Sequence, residues 1–452
     1  MKSLFYCGLF NQFHVDFLEK LIEDNSDLEE ILLISDGYKL KHNYKIKIQY
    51  VEYDIIKKIT IKNNEIVDYN IFNFQSEELF NSLKMMDRLH SIDSFGFESR
   101  VKIFFNLIDF WNKIFKNKKI DIAIFHNRPH EVFDYIAQIV LSQKRVDTYY
   151  FFQTNFMGFF EVVKLPSKRI KNNFYNLDFK NFFMDTIKSY RDQDLKPFYL
   201  KKPPILDLIL KKSNGFLSTI KLRGVKSFFN LLYSTLRSKI KNFINDIYLT
   251  KISNRPNLDE NFIFIPLQFQ PELTTCPLGG IHVYQEILIK QIHSILPDNW
   301  KIYIKEHPNQ NLSINRSVDF YKKIKLLKNV EFINKKYDSY KLLNKCRILA
   351  TTTGTLGLEA LLQAKPIIIT GDVFFKDAPN AIKLNPDTNL IFQIQKVEKN
   401  VMTTNIEEYM EEKFKFLFYG YSDPLYAKQV EIDYKLNIDN MSKIFSNLNK
   451  LN

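Results

Sequence analysis

The chain has 452 residues and a mass of 53.9 kDa, with 45% hydrophobic, 15% aromatic and 25% charged residues. This composition excludes a disordered chain, and the length predicts two or three domains. No apolar run approaches the roughly 18 residues that a membrane span needs. Three scattered cysteines exclude a disulfide framework and a zinc site. The first residues predict a β-strand rather than a signal peptide, so we expect a cytoplasmic protein.

The formal net charge of +13 is concentrated in one segment. Residues 164–251 contain 19 Lys or Arg and 6 Asp or Glu, and the rest of the chain is neutral. Apolar residues at helical spacing within 215–249 predict an amphipathic, cationic helix. Two interpretations of this helix are open. In the first, its apolar face packs on the protein and its basic face is solvated. In the second, the helix lies on an anionic membrane surface. Nucleic-acid binding is disfavoured because no nucleic-acid motif accompanies the charge.

Strands and helices alternate twice along the chain. Residues 1–165 begin with the strand LFYCGLF, the helix HVDFLEKLIED and the strand EEILLIS. Residues 256–430 repeat the alternation, from NFIFIPLQF through WKIYIKEH and RILATT to PIIIT. Such alternation predicts parallel α/β sheets. We therefore expect two Rossmann-like lobes, separated by a basic helical insertion at 166–255, with a C-terminal helix at 431–452 crossing back to the first lobe.

A hydroxyl-rich loop, Thr351–Thr355, separates the strand RILA from the helix LGLEALLQA. Hydroxyls and a glycine at a helix N-terminus suit a phosphate, although an ordinary threonine cap explains one of these residues. The loop is not a P-loop, because the Gly-Lys-Ser/Thr ending is absent. Glu359, one turn into the helix, either hydrogen-bonds a ribose or only complements the helix dipole.

Two further loops follow strands of the second lobe. Lys305-Glu306-His307-Pro308 closes the strand WKIYI, where a histidine beside a lysine can contact a phosphate or protonate a leaving group. The loop from Gln268 to Gly280 contains one carboxylate, Glu272, a candidate base or nucleophile. A turn carboxylate without chemistry is the alternative for Glu272.

The first lobe has one candidate loop, His126-Asn127-Arg128-Pro129-His130-Glu131. His126 and His130 lack a clear third metal ligand, and Pro129 separates strand from helix, so we expect no metal. An acceptor-binding role for His126, Arg128 and His130 is the favoured interpretation.

The motifs LQFQPELTTCPLGG, YIKEHPNQ and TTTGTLGLEALLQAKPIIITGD resemble, in order and spacing, the bacterial capsule polysaccharide biosynthesis family. That family includes transferases that add Kdo (3-deoxy-manno-octulosonic acid) from CMP-Kdo. The resemblance covers residues 260–375, with a fainter similarity in FHNRPHEVFDYIAQIV and TYYFFQT. The His-Pro pair and the hydroxyl-rich loop are also similar to those of bacterial CMP-sialic acid transferases with the GT-B architecture.

The resemblance implies a metal-independent GT-B glycosyltransferase that moves a 2-keto-3-deoxy sugar acid from CMP to a growing capsule or lipopolysaccharide glycan. It implies that His307 is catalytic and contacts the phosphate, with Glu272 as the carboxylate at the anomeric centre. The family usually has Asp at the position of Glu272, so Kdo, pseudaminic, legionaminic and sialic acid all stay open. The implied nucleotide-binding residues are Gln268, Lys305, His307, Pro308, Thr352, Thr353, Gly354, Thr355 and Glu359.

The implied partners are the CMP-sugar and a lipid-linked glycan acceptor, with no other cofactor and no nucleic acid. Because a lipid-linked acceptor is located at the membrane, we expect that the basic segment could lie on the inner face of the cytoplasmic membrane. Two alternatives remain: a UDP-sugar-dependent transferase or epimerase, and a non-enzymatic membrane- or polyanion-binding module.

Overall fold

The computed structural model divides the chain into two compact units. The first comprises Met1–Tyr175 and Met410–Asn452, and the second comprises Asn176–Tyr409. The structure describes residues 2–41, 44–53, 75–88, 96–154, 156, 158–172, 181, 184–185, 236, 240–310, 316–403, 406–429 and 432–446. Most of the basic segment, including the predicted helix from 215 to 235, lies outside these residues.

The first unit is built on a sheet with the order β14-β6-β5-β4-β1-β2-β3, with β7 paired to β6. The strands β1 to β5 run parallel to one another, whereas β6 pairs antiparallel with β5, β7 and β14. Their bounds are β1 Ser3–Leu9, β2 Glu30–Ser35, β3 Lys47–Glu52, β4 Ile122–Phe125, β5 Asp147–Gln153, β6 Phe159–Lys164, β7 Lys168–Arg169 and β14 Leu417–Tyr419.

Helices cover this sheet because its central strands are apolar on both faces. Six of the seven residues of β1 are buried, as expected for a parallel strand between two helical layers. Helix α1 begins after Asn11, whose side chain accepts a hydrogen bond from the His14 N–H. The helices of this unit are α1 Gln12–Glu23, α2 Ser76–Met85, α3 Phe97–Phe115, α4 Val132–Gln143, α11 Ile406–Phe414, which runs across the boundary between the units, and α12 Tyr434–Ser446.

The second unit has a parallel sheet in the order β13-β12-β9-β10-β11-β8. Its strands are β8 Ser253–Asn254, β9 Phe262–Pro266, β10 Lys301–Lys305, β11 Val330–Ile333, β12 Ile348–Thr351 and β13 Ile367–Ile369. Its helices are α5 at 240–252, α6 Gln285–Ser294, α7 Val318–Lys325, α8 Ser339–Lys345, α9 Thr355–Leu362 and α10 Leu390–Thr403.

Both sheets reverse their strand order at one point. In the first sheet β2 and β4 lie on opposite sides of β1, and in the second β10 and β12 lie on opposite sides of β9. The loops that leave such a pair of strands in opposite directions open a crevice at the carboxyl edge, where doubly wound α/β proteins bind ligands. The topology therefore points to β1/β4 and β9/β12 as the two places to search for a site.

The predicted α/β fold class with two Rossmann-like lobes, the units of the GT-B architecture, is confirmed. The boundary predicted at residue 430 differs from the structure. Strand β14 pairs with β6 of the first sheet, so the return to the first unit begins near Met410. Within the described residues, no helix is both long and apolar enough to span a membrane.

Candidate functional site

The crevice of the second sheet collects the loops that the sequence singled out. Gln268 follows β9, His307 follows β10 and Thr352 follows β12, all at the carboxyl edge. Because these three strands are neighbours in the sheet, residues far apart in the chain converge there. A fourth loop, after β13, packs against the Thr-rich loop through the Gly371 N–H, which donates to the Thr352 carbonyl at 2.9 Å.

Gln268 caps the helix that the Thr-rich loop begins. With its amide oxygen facing the loop, Gln268 accepts hydrogen bonds from the N–H groups of Thr353 (2.7 Å) and Gly354 (2.5 Å). The Gly354 N–H also lies 3.1 Å from Oγ1 of Thr351. Two N–H groups expected to face a phosphate are thus occupied by the protein itself. The helix dipole remains, but a phosphate here also needs cationic or hydroxyl side chains.

Glycines allow the loops around this edge to approach closely. A Cβ on Gly371 would lie 2.3 Å from Cγ2 of Thr353 and 2.8 Å from the Thr352 carbonyl oxygen. A Cβ on Gly279 would lie 2.5 Å from the Thr275 carbonyl oxygen of its own loop and 3.0 Å from Cγ2 of Thr352 in the Thr-rich loop. Any larger residue at either position would push these loops apart. The role of Gly371 was not predicted, because it depends on contacts between loops distant in sequence.

Glu272 lies in this loop cluster with an exposed side chain. Its carboxylate accepts a hydrogen bond from Oγ1 of Thr274 at 2.7 Å. The same loop is tied to the Thr-rich loop, because Oγ1 of Thr353 donates to the Thr274 carbonyl at 2.7 Å. The structure thus places a carboxylate next to the predicted phosphate loop, and its catalytic role stays a prediction.

Lys305 is a buried cation at the end of β10, 4% exposed. Burial lowers its pKa to about 8, partly opposed by the negative charge of Asp338. Among the described residues, its ammonium has no hydrogen-bond or ion-pair partner. Holding such a charge out of water is costly unless an anion accompanies it. Lys305 is therefore suited to an anionic ligand.

His307 is held as a neutral imidazole. Its Nδ1 accepts a hydrogen bond from the Asn309 N–H at 3.2 Å, which places the ring proton on Nε2. Burial lowers the pKa of His307 to about 4, and the positive charges of Arg316 and Lys305 lower it further, against the opposing effect of Glu306. At neutral pH the ring can donate a hydrogen bond from Nε2, while the adjacent Pro308 is exposed.

A buried ion pair fixes the segment between Lys305 and His307. Arg316 contacts Glu306 at 2.5 Å and donates to the Gln268 carbonyl at 2.6 Å. Tyr321 donates to the other carboxylate oxygen of Glu306 at 2.8 Å. This network joins the loops after β9 and β10, and the role of Arg316 in it was not predicted. Its only sequence signal is a lone arginine before a helix, which occurs in many surface segments.

Glu359 is buried on α9, 3% exposed, and burial raises its pKa to about 7. A hydrogen bond from Tyr340 stabilises its ionised form, but Oε2 has no hydrogen-bond partner among the described residues. The Tyr340 N–H donates to Asp338, the residue whose charge acts on Lys305. Thr352 also has a buried hydroxyl oxygen without a partner in the part of the chain described.

The crevice of the first sheet contains a histidine pair. His126 follows β4, and its ring centroid lies 4.8 Å from that of His14 on α1. A Cβ on Gly8 would lie 2.0 Å from Nδ1 of His126, so only glycine leaves room for the ring. Nδ1 of His126 lies 3.1 Å from the Cys7 carbonyl, which places the proton on Nδ1 and leaves Nε2 as an acceptor. His14 was not predicted, since its pattern is that of a core residue of an amphipathic helix.

The other two predicted acceptor residues lie beside this pair. The Arg128 guanidinium stacks over the Tyr150 ring at 5.5 Å. Burial and the charge of Arg88 lower the pKa of His130 to about 4, and its Nδ1 contacts the Arg128 carbonyl at 2.7 Å. No group of three or more His, Cys, Asp or Glu side chains arranged to hold a metal occurs among the described residues.

Both units have the doubly wound topology of nucleotide-binding α/β proteins, with polar clusters at their switch points. Residues 223–413 match the family model described as "Capsule polysaccharide biosynthesis protein". The predicted resemblance is thereby confirmed over this segment, which covers rather less than half of the chain. The search of curated proteins found no match.

Several solved structures are similar to the chain at low identity. UDP-GlcNAc 2-epimerase from Neisseria meningitidis, bound to UDP-GlcNAc, is 12% identical over 100% of both chains, with a TM-score of 0.22. The KpsC beta Kdo 2,7 transferase of Thermosulfurimonas dismutans is 18% identical over 65% of this chain and 78% of its own, with a TM-score of 0.28. HepE from Anabaena, in complex with UDP, is 12% identical over 100% of both chains, with a TM-score of 0.28. These TM-scores are too low to assign a donor or a reaction to this chain.

Proposed function

We propose that the protein is a glycosyltransferase of bacterial capsule or lipopolysaccharide synthesis. In this proposal the second unit binds a CMP-activated 2-keto-3-deoxy sugar acid, and the acceptor is a growing, lipid-linked glycan. The match of residues 223–413 to the capsule biosynthesis family supports the pathway. The choice of CMP as the nucleotide rests on the motif resemblance.

The observation that carries the donor site is a pair of buried polar groups, at one edge of the sheet, that have no hydrogen-bond or ion-pair partner among the described residues. Lys305 offers a cation, and Oε2 of Glu359 offers a hydrogen-bond acceptor. The two groups share neighbours, because Tyr340 hydrogen-bonds Glu359 and donates its N–H to Asp338, whose charge acts on Lys305. A nucleoside monophosphate matches both groups, because its anionic phosphate can pair with Lys305 and its ribose hydroxyls can donate to Glu359.

The remaining residues of this edge have complementary roles. Nε2 of His307 donates a hydrogen bond to the phosphate, and Lys305 offsets the charge that develops as CMP leaves. The hydroxyl of Thr352, which has no partner within the described ranges, supplies a further donor. Glu272 acts at the anomeric carbon, either as the base for the acceptor hydroxyl or as the nucleophile of a two-step reaction. His126, Arg128 and His130 bind the acceptor in the first unit.

Calorimetric titration with CMP and with UDP tests this proposal. We expect wild-type protein to bind CMP at micromolar concentration and UDP more weakly. His307→Ala and Lys305→Met should each weaken CMP binding by about tenfold or more, the loss of roughly 1.4 kcal/mol expected for one charged contact. His293→Ala is the matched control, because His293 lies at the far end of α6 and contacts the Lys328 carbonyl.

Two results would count against the donor site. A preference for UDP would favour a UDP-sugar transferase or epimerase in the same fold class. Binding of neither nucleotide would favour a non-enzymatic module whose activity resides in the basic segment.

A further inference from the structure

Helix α5 exposes a stripe of large apolar side chains. Ile240, Phe243, Ile244 and Ile247 are 53%, 67%, 53% and 54% exposed, and Leu236, one turn before, is 57% exposed. At 3.6 residues per turn these five side chains fall within an arc of roughly 100°. Scattered exposed apolar residues are normal, but a continuous stripe over three turns marks an interaction surface. We call these five residues the α5 stripe.

The opposite side of α5 is fixed to the second unit. Asn245 is buried and its side-chain amide donates to the Arg316 carbonyl at 2.6 Å. Leu249 is buried in the core formed by the second sheet and its helices. Asp246 pairs with Lys335 at 3.6 Å. The helix is therefore docked through its polar and C-terminal residues, so exposure of the stripe is not the result of a detached helix.

Charge distinguishes between possible occupants of the stripe. Lys241 flanks it and Lys251 follows it on the same face, and both are exposed. The surrounding segment, 164–251, carries 19 basic and 6 acidic residues. An apolar stripe bordered by exposed lysines matches a bilayer with anionic headgroups, whereas pairing of two stripes would bring lysines of like charge together.

We propose that the α5 stripe lies in the interfacial region of an anionic membrane, with Phe243 and the isoleucines among the acyl chains and the lysines at the headgroups. The Asn245–Arg316 contact then connects the membrane-bound helix to the buried pair that fixes the Lys305–His307 loop. This inference goes beyond the transfer reaction and does not depend on the identity of the nucleotide.

Vesicle co-sedimentation of the full chain tests the proposal. Wild-type protein should bind vesicles of phosphatidylcholine mixed with phosphatidylglycerol, bind phosphatidylcholine alone far more weakly, and dissociate as salt rises. Phe243→Glu combined with Ile247→Glu should weaken binding by about tenfold or more. Leu326→Glu is the control, because Leu326 is 86% exposed and lies outside the stripe. CMP binding in solution should be the same for all three proteins.

Each other outcome would overturn the proposal. Vesicle binding that survives the double substitution, or that Leu326→Glu also abolishes, would show that the stripe is not the contact surface. A concentration-dependent dimer that only the double variant dissolves would assign the stripe to a second copy of the chain. A melting temperature lowered by several degrees in the double variant would mean that the chain itself covers the stripe.

Discussion

The substitution Glu359→Gln should both stabilise the protein and weaken donor binding. Burial raises the pKa of Glu359 from its ordinary value of 4.5 to about 7. Between these two values the folded state binds more protons than the unfolded state, so stability falls as pH rises through this window. Above pH 7 the wild-type protein carries an ionisation cost of about 3 kcal/mol. The neutral glutamine avoids that cost while keeping the shape of the side chain.

Thermal unfolding at pH 5 and pH 8 measures this effect. For a unit of this size about 3 kcal/mol corresponds to roughly 6–12 °C in melting temperature. We expect Glu359→Gln to melt close to wild type at pH 5 and higher than wild type by that amount at pH 8. Glu286→Gln, on α6, serves as the control for removing a negative charge from the second unit.

The same variant should bind CMP at least about tenfold more weakly, because a ribose hydroxyl loses a charged acceptor. A gain in stability together with a loss of binding is the expected signature of a group kept for function. A variant that melts below wild type at pH 8, or one whose gain in stability is the same at both pH values, would refute the assigned ionisation of Glu359.

Two substitutions test other features of the fold. Arg316→Met should destabilise the second unit by about 3–5 kcal/mol, since it leaves the buried carboxylate of Glu306 without its counter-charge; adding Glu306→Gln should recover most of this loss in chemical denaturation. Gly8→Ala should lower the free energy of unfolding by about 1–3 kcal/mol more than Gly37→Ala does. Both glycines have positive φ, but only a Cβ at Gly8 would lie against His126. Equal losses of stability in the two variants would contradict this prediction.

The strand–helix alternation was predictable because it depends on local patterns. The segment FIFIP is a continuous apolar run and KIYIK has an apolar centre between two lysines, and the structure places them as β9 and β10. The antiparallel pairing of β14 with β6 was not predictable, because β14 has three residues and its partner is far away in the sequence. This pairing is also why the chain returns to the first unit near Met410, before the predicted boundary at residue 430.

The positions of the site loops could be predicted, but the contacts within them could not. A threonine-rich turn before a helix favours an anion site, and the carboxyl edge of neighbouring strands brings such turns together. The cap that Gln268 places on this turn is formed between two strands, and no local pattern encodes it. The same holds for Arg316 and His14, whose roles arise only from packing.

Part of the predicted basic helix lies among the described residues. The structure shows the apolar residues from Leu236 to Ile247 exposed, whereas Val225, Phe228, Phe229 and Leu232 lie outside the described residues. The expectation that the apolar face packs on the protein is wrong for the described part of the helix. Docking through Asn245 explains the difference, because a buried amide–carbonyl hydrogen bond turns the polar side of α5 inward.

Turnover of candidate donors is the direct test of the proposed transfer of a sugar acid from CMP. Wild-type protein and Glu272→Gln are incubated with CMP-Kdo, with the CMP conjugates of the nine-carbon sugar acids and with UDP-GlcNAc, and the released nucleotide is measured. We predict that wild type releases CMP from at least one CMP-sugar acid in the presence of acceptor glycan, and that Glu272→Gln does not. Release of UDP alone, or full activity of Glu272→Gln, would contradict it.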